Sequence, residues 1–319
     1  MNTESEAYFA DGTFDLSDRT RLSLGLRRTT DEFTSKQDNF ISILMPAPVI
    51  AAQTCDREVV TEYSSTTSRA VLQHDLTSGS NVYASLSEGF KAGGYATYEC
   101  TEPYDPEEVT SLEFGYKGSL GENTSLNASL FRYDYTDFQV LQVVGIQTVT
   151  RNAGDATVNG LELEALSNLN DSLSMSYGLT LLDATYGEFL NTNGLEPQLG
   201  QQQLEGKYLN NAPKVSVNLG LNYTTNLSSG SSLTYRANAA YKSKIYFSEF
   251  NEYSQSAYTI VDLNLIWESA DDRMRTRFYV KNATDEEYIS GYLSSATGGG
   301  RFGQWGYPRT AGIEIQRNF

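Results

Sequence analysis

No run of about 18 consecutive apolar residues occurs in this 319-residue chain, so a transmembrane helix is excluded. Histidine is limited to His74, and cysteine to Cys55 and Cys100. Neither count nor spacing makes a zinc set, and no EF-hand spacing occurs, so no metal site or cofactor is expected. Basic residues are scarce: 23 Lys+Arg stand against 40 Asp+Glu, a net charge of -17. Such a chain repels nucleic-acid phosphate, which argues against a nucleic-acid partner. Met1-Asn2-Thr3-Glu4-Ser5-Glu6 has neither the basic nor the apolar region of a signal peptide. Hydrophobic residues make up 39%, below the roughly 45–50% of an ordinary globular domain.

The chain is rich in residues that favour strands and turns, with 22 Tyr and 26 Gly against 2 Trp and 4 Met. A mean hydropathy of -0.42 still suits a membrane barrel, because each strand needs only one apolar face.

Alternation with period two is the dominant pattern. Val215, Val217, Leu219, Leu221 and Tyr223 share one parity, and Ser216, Asn218, Gly220 and Asn222 share the other. The same split separates Leu233, Tyr235 and Ala237 from Thr234, Arg236 and Asn238, and Leu173, Met175, Tyr177 and Leu179 from Ser174, Ser176 and Gly178. Leu263 likewise opposes Asn264. The stretch 124–141 is mixed: Leu126, Ala128 and Leu130 give way to Phe131, Tyr133 and Tyr135 on the opposite parity.

About thirteen strands follow, near 4–16, 20–34, 61–76, 80–92, 107–119, 123–141, 147–169, 172–186, 213–226, 231–246, 256–268, 273–284 and 308–319. Most exceed the ~5–6 residues of a globular strand and match the ~9–11 of a tilted bilayer-spanning strand. Short turns alternate with the longer connections 35–60, 92–106, 187–212, 247–255 and 285–307, the exception being a short connection near 142–146. Outer-membrane barrels sort their connections this way, with short periplasmic turns and long extracellular loops. The polar parity must face water, since an unpaired buried polar group costs roughly 1–3 kcal/mol. The expected fold is all-β: an antiparallel transmembrane meander with the apolar faces to outer-membrane lipid and the polar faces to a lumen.

The chain stops on Phe319, with Ile315 and Ile313 in phase behind it and Arg317 where a second aromatic is usual. This ending resembles the signal that outer-membrane barrels present to the barrel-assembly machinery.

Several segments resemble, in order, the barrel motifs of the TonB-dependent outer-membrane receptors. These are Ser87-Glu88-Gly89-Phe90-Lys91-Ala92-Gly93-Gly94, Pro106-Glu107 with Glu113-Phe114-Gly115-Tyr116-Lys117, and Phe131 to Gln139 through Asp134-Tyr135 and Asp137. Asn152-Ala153-Gly154 with Gly160, Glu162 and Glu164 follows, then Leu209 to Pro213, Val280-Lys281-Asn282 with Asp285 and Tyr288, and Pro308-Arg309-Thr310. Their simplest role is to build the barrel. Glu162 and Glu164 share a face, as an acid–base pair would, but as motif residues they are expected to be structural lumenal carboxylates.

The resemblance implies a 22-stranded barrel, of which these strands are the last thirteen, with the plug domain, TonB box and signal peptide absent from residues 1–319. It implies a receptor of the Gram-negative outer membrane that imports a scarce nutrient such as a ferric siderophore, coupled to the TonB system only through the missing plug. No catalytic group is required or found. A smaller passive pore and a soluble all-β binding protein are the alternatives. Ligand contacts are expected on long connections, where aromatic rings and Arg bind large chelates: Tyr95, Tyr98, Tyr246, Phe247, Arg301, Phe302 and Trp305. Gly298-Gly299-Gly300 reads as a flexible loop, and the apolar 41–50 segment as loop packing or, alternatively, as a contact for an apolar ligand. Cys55 and Cys100 fall in connections flanking one hairpin, on the same expected rim. In an oxidising compartment they are expected to form a disulfide.

Overall fold

The computed structural model describes residues 2–42, 51–95, 103–144, 147–295 and 300–319. Thirteen strands form one sheet in strict chain order. They are β1 (Asn2–Ser17), β2 (Thr20–Ser42), β3 (Ala51–Thr77), β4 (Ser80–Lys91), β5 (Glu107–Leu120), β6 (Thr124–Thr136) and β7 (Ala156–Asn170). The remainder are β8 (Leu173–Tyr186), β9 (Val215–Asn226), β10 (Ser232–Lys242), β11 (Tyr258–Glu268), β12 (Met274–Lys281) and β13 (Thr310–Arg317). Each consecutive pair is antiparallel. The sheet does not close on itself: β1 and β13 are its two edges. The regular helical structure among the described residues is the three-residue 3-10 turn Pro197–Leu199.

The expected thirteen strands are all present, with three corrections to their bounds. The first concerns the mixed stretch. β6 stops at Thr136, where Asp137 takes a positive φ of 52°. Residues Gln139–Val144 and Gln147–Asn152 then pair as a separate hairpin, and β7 begins at Ala156. The connection is therefore long, and the alternation of short and long connections has no exception. Second, the ladder between β2 and β3 continues from Thr34↔Val60 to Ser42↔Ala51, where a loop was expected. Lys36-Gln37-Asp38-Asn39 carries no apolar parity, and a hairpin outside the bilayer needs none. Third, the expected 231–246, 273–284 and 308–319 strands are shorter, at Ser232–Lys242, Met274–Lys281 and Thr310–Arg317, and Ile245–Tyr246 pairs separately with Ser254–Gln255.

Register carries the sequence parity across the sheet. Leu179↔Val217↔Tyr241 and Tyr177↔Leu219↔Ala239 run along one face, and Ser176↔Gly220↔Asn238 and Arg236↔Asn264 along the other. Leu219, Tyr235 and Leu263 are exposed, at 46%, 47% and 44%. On the opposite face, polar side chains of separate strands, among them Asn127, Glu164, Ser176, Asn218 and Asp262, line one hollow of about 520 Å3. The mixed parity of β6 is now explained. Leu126, Ala128 and Leu130 continue the apolar outer rows, while Phe131 lies inside over Gly160, where a Cβ would come within 2.2 Å of the ring. Phe131 and Tyr133 stack at 4.7 Å.

Short turns gather at one end, and Gly121 and Gly230 supply their left-handed φ of 68° and 83°. The packed core sits at the other end, in the long connections. Ala153, Tyr186, Phe189, Leu204 and Phe250 form it, with Phe138, Val140 and Leu209 against them, and Leu204 is fully buried.

Candidate ligand-binding site

The rim at the long-connection end is built by the motif residues. Gln139 Nε2 donates to the carbonyls of Ala92 and Asp105, at 3.0 and 3.1 Å, while its amide donates to Glu107. Asn282, at a φ of 47°, donates through Nδ2 to the carbonyls of Glu286 and Tyr307 and accepts from the Glu286 amide. Asp285 Oδ1 accepts the Arg309 amide at 2.9 Å and Oδ2 faces its guanidinium at 3.5 Å. The Gln139 bonds tie the connection after β6 to the one after β4, and the Asn282 and Asp285 bonds draw together the two ends of the connection between β12 and β13, so the motifs position the rim. Glu164 lines the inner hollow, and Glu162 has the same parity on β7.

On this frame four side chains from two connections form a layered stack. Phe247 and Tyr292 lie parallel at 5.8 Å, and Tyr292 and Tyr253 at 5.3 Å, with interplanar angles of 12° and 14°. The Arg301 guanidinium caps the series 4.1 Å above the Tyr253 ring. Phe247 and Tyr253 flank a tight turn in which the Phe247 amide bonds the Tyr253 carbonyl at 2.9 Å. Tyr292 and Arg301 lie on facing strands of the Ile289–Ser295/Gly300–Trp305 hairpin.

Carboxylates border the stack. Arg301 pairs with Glu196 at 3.2 Å. Asn193 Nδ2 donates to Glu252 and Asn191 Nδ2 to Glu249, at 3.0 and 3.1 Å. Burial pushes the Glu249 carboxyl above its ordinary value. At Arg301 burial pulls the other way, but Tyr253, Glu196 and Tyr292 outweigh it and raise the pKa. The guanidinium thus stays charged. A small cavity of about 40 Å3 between Asn193, Glu252, Tyr253 and Tyr292 opens beside the stack. Flat π faces, a cation and hydrogen-bonding carboxylates can hold a large polar ligand with delocalised oxygens.

Of the expected contacts, the structure brings Phe247 and Arg301 together. Tyr246 belongs to a second stack, parallel to Tyr208 at 5.9 Å, with Lys244 4.5 Å over its ring and Lys214 4.1 Å over Tyr208. Phe302 and Trp305 are exposed on the same hairpin as Arg301, at 54% and 67%, and Tyr95 is buried. Tyr98, Cys100 and Gly298-Gly299 lie outside the described residues, as do 43–50 of the apolar segment. Cys55 is in β3, opposite Asn39. Sequence reasoning missed Tyr253, Tyr292 and Glu196. Glu252-Tyr253 and Gly291-Tyr292 carry no pattern that distinguishes them from other loop tyrosines.

An antiparallel meander with an apolar outer face, a polar inner face and all short turns at one end is the wall of an outer-membrane β-barrel. Residues 1–283 match the family described as TonB dependent receptor-like, beta-barrel, and the chain belongs to that family, whose members are Gram-negative outer-membrane proteins. It is 24% identical over 226 residues to the ferrioxamine B receptor of Salmonella typhimurium, covering 70% of this chain and 30% of that protein. Its fold is similar to the ferric yersiniabactin uptake receptor FyuA from Yersinia pestis, with a TM-score of 0.80 at 21% identity over 99% of this chain and 46% of FyuA. The siderophore receptor PiuA from Acinetobacter baumannii gives 0.76 at 20%, over 98% and 42% of the two chains. The chain thus spans less than half the length of these relatives. The barrel likeness decides against a soluble sandwich or propeller.

Proposed function

We propose that the chain forms the C-terminal thirteen strands of a 22-stranded receptor that imports a scarce nutrient such as a ferric siderophore. The Phe247–Tyr292–Tyr253–Arg301 stack is its ligand contact on the extracellular rim. The stack itself carries this reading: three parallel rings ending in a guanidinium form a flat, charged wall where an incoming ligand first meets the rim. The open sheet and the share of FyuA that it matches support the larger barrel. Outer-membrane lipid covers the Leu219 face, the barrel-assembly machinery reads the Phe319 end, and the TonB system acts through a plug encoded elsewhere in the full receptor. The transport proposed needs no catalytic group, and none is assigned.

The test uses the full receptor in cells that lack other ferric-chelate receptors. Radiolabelled iron is offered as ferrioxamine B and as ferric yersiniabactin, to wild type and to a Tyr292→Ala/Arg301→Ala variant. Uptake of at least one chelate should fall about tenfold or more in the variant, as aromatic and Arg anchors dominate binding. Unchanged uptake by a normally assembled variant overturns the assignment. Sequencing the DNA upstream of the Met1 codon tests the larger barrel: nine further strands and a plug are expected there.

A further inference from the structure

Arg301 is already engaged. Its guanidinium lies over Tyr253 and pairs with Glu196, which sits 105 residues away in another connection. The turn that carries Glu196 is closed internally: its amide bonds the Asn193 carbonyl, and its own carbonyl accepts from Leu199. This turn is held to its surroundings by bonds of two kinds. The Asn193–Glu252 and Asn191–Glu249 bonds join an amide to a carboxylate within the rim. The Glu196–Arg301 bond joins two opposite charges whose side chains are 32% and 36% exposed.

That difference decides which bond a ligand can replace. An anionic ligand oxygen that takes the place of Glu252 or Glu249 gains only a neutral amide donor, with no opposite charge to meet. At Arg301 it substitutes charge for charge, on a guanidinium that solvent already reaches. Resting on the reading of the stack as the ligand site, we infer that Glu196 determines specificity. It occupies the anion-binding side of Arg301 in the free protein, and an anionic oxygen of the ligand displaces it and releases the turn at 193–203. A cationic ligand gains nothing from that exchange and stacks with the pair intact. The apparent affinity for an anionic ligand is lowered by the fraction of Arg301 held by Glu196.

The test compares wild type, Glu196→Gln, Glu196→Ala and Tyr292→Ala in the full receptor in outer membranes. The probes are a ferric tris-catecholate, which is strongly anionic, and ferrioxamine B, a trihydroxamate with a cationic amine. Both Glu196 variants should bind the anionic probe about two- to fivefold more tightly, the gain expected from freeing an exposed ion-paired cation, with no gain for the cationic probe. Without probe they should show faster amide exchange at 193–203, and in wild type the anionic probe should produce that same acceleration. Equal effects on both probes, weaker anionic binding, or unchanged exchange overturns the role of Glu196. If Tyr292→Ala still loses binding in that case, the site itself stands. If wild type binds neither probe, both the site and the role of Glu196 fall.

Discussion

Asn152 holds the backbone of Asp105 at both of its polar groups: its Nδ2 donates to the Asp105 carbonyl at 2.9 Å and its Oδ1 accepts the Asp105 amide at 2.7 Å. The same Nδ2 also donates to the carbonyl of Asp137. One side chain thus joins the connection after β4 to the hairpin after β6. Asn152→Leu leaves the Asp105 amide and the Asp137 carbonyl without partners, while the Asp105 carbonyl keeps its bond from Gln139. At roughly 0.5–1.5 kcal/mol per net hydrogen bond, it should cost about 1–3 kcal/mol of rim stability. Limited proteolysis of assembled barrels checks this: cleavage within 92–106 should accelerate while the strands stay protected.

The C-terminal strand presents Ile313 and Ile315 on the exposed side, at 64% and 68%, with Phe319 fully exposed. Arg317, where an aromatic is usual, lies 5.3 Å over the Phe319 ring. Phe319→Ser in the full receptor should lower the amount of heat-modifiable barrel in outer membranes, and Arg317→Phe should raise it. Unchanged amounts in both variants would show that this end is not read during assembly.

Glu249 should make the rim pH-dependent. Burial, the main cause, raises its pKa in the folded protein above its ordinary value of 4.5. The folded state therefore holds the proton more tightly than the unfolded state. The stabilisation is present in full below pH 4.5 and is lost as pH rises through the higher folded pKa. Glu249→Gln keeps an oxygen for Asn191 and removes the charge. It should stabilise the rim at neutral pH and flatten the acid-side dependence, as measured by amide exchange of 187–212 against pH. Asp271, in the turn after β11, runs the other way: the Ser269 hydroxyl, then the Arg273 amide, lower its pKa, and its contribution is lost on acidification.

The Cys55–Cys100 disulfide remains a proposal with a direct check. The chain-entropy model gives roughly 4 kcal/mol for closing a loop of this size. Intact receptor should resist thiol alkylation until reduced, and a peptide map should show the 55–100 link. Alkylation of both cysteines without reductant would exclude the bond.

Much of the fold is written locally. The parities of Leu173 to Leu179 and Val215 to Tyr223 identify strands and faces because a bilayer penalises every charged or polar group on the outer side. The turns are marked by Gly121, Gly230 and Asp272, whose positive φ few residues tolerate. Beyond the bilayer that discipline ends. The ladder through Lys36 and Asp38 alternates no apolar residues, and the two strands of the 139–152 hairpin read as extensions of β6 and β7, Val140 and Leu141 being apolar on both parities. The site is less legible still. Phe247 and Arg301 are plausible from residue type alone, but their partners Tyr253, Tyr292 and Glu196 are set by the packing of separate connections.

In the proposed barrel the apolar parity faces lipid and the polar parity faces the lumen. Leu219 and Asn218 are neighbours on β9 that lie on opposite faces, opposite Tyr177 and Gly178. Arg on the lipid face near the bilayer midplane costs roughly 2–4 kcal/mol, whereas the lumen hydrates it. The deciding measurement is the yield of folded barrel in outer membranes for Leu219→Arg and Asn218→Arg, made in the full receptor at matched expression. Asn218→Arg should assemble close to wild type while Leu219→Arg is largely lost. Equal yields, or the reverse order, would contradict the account.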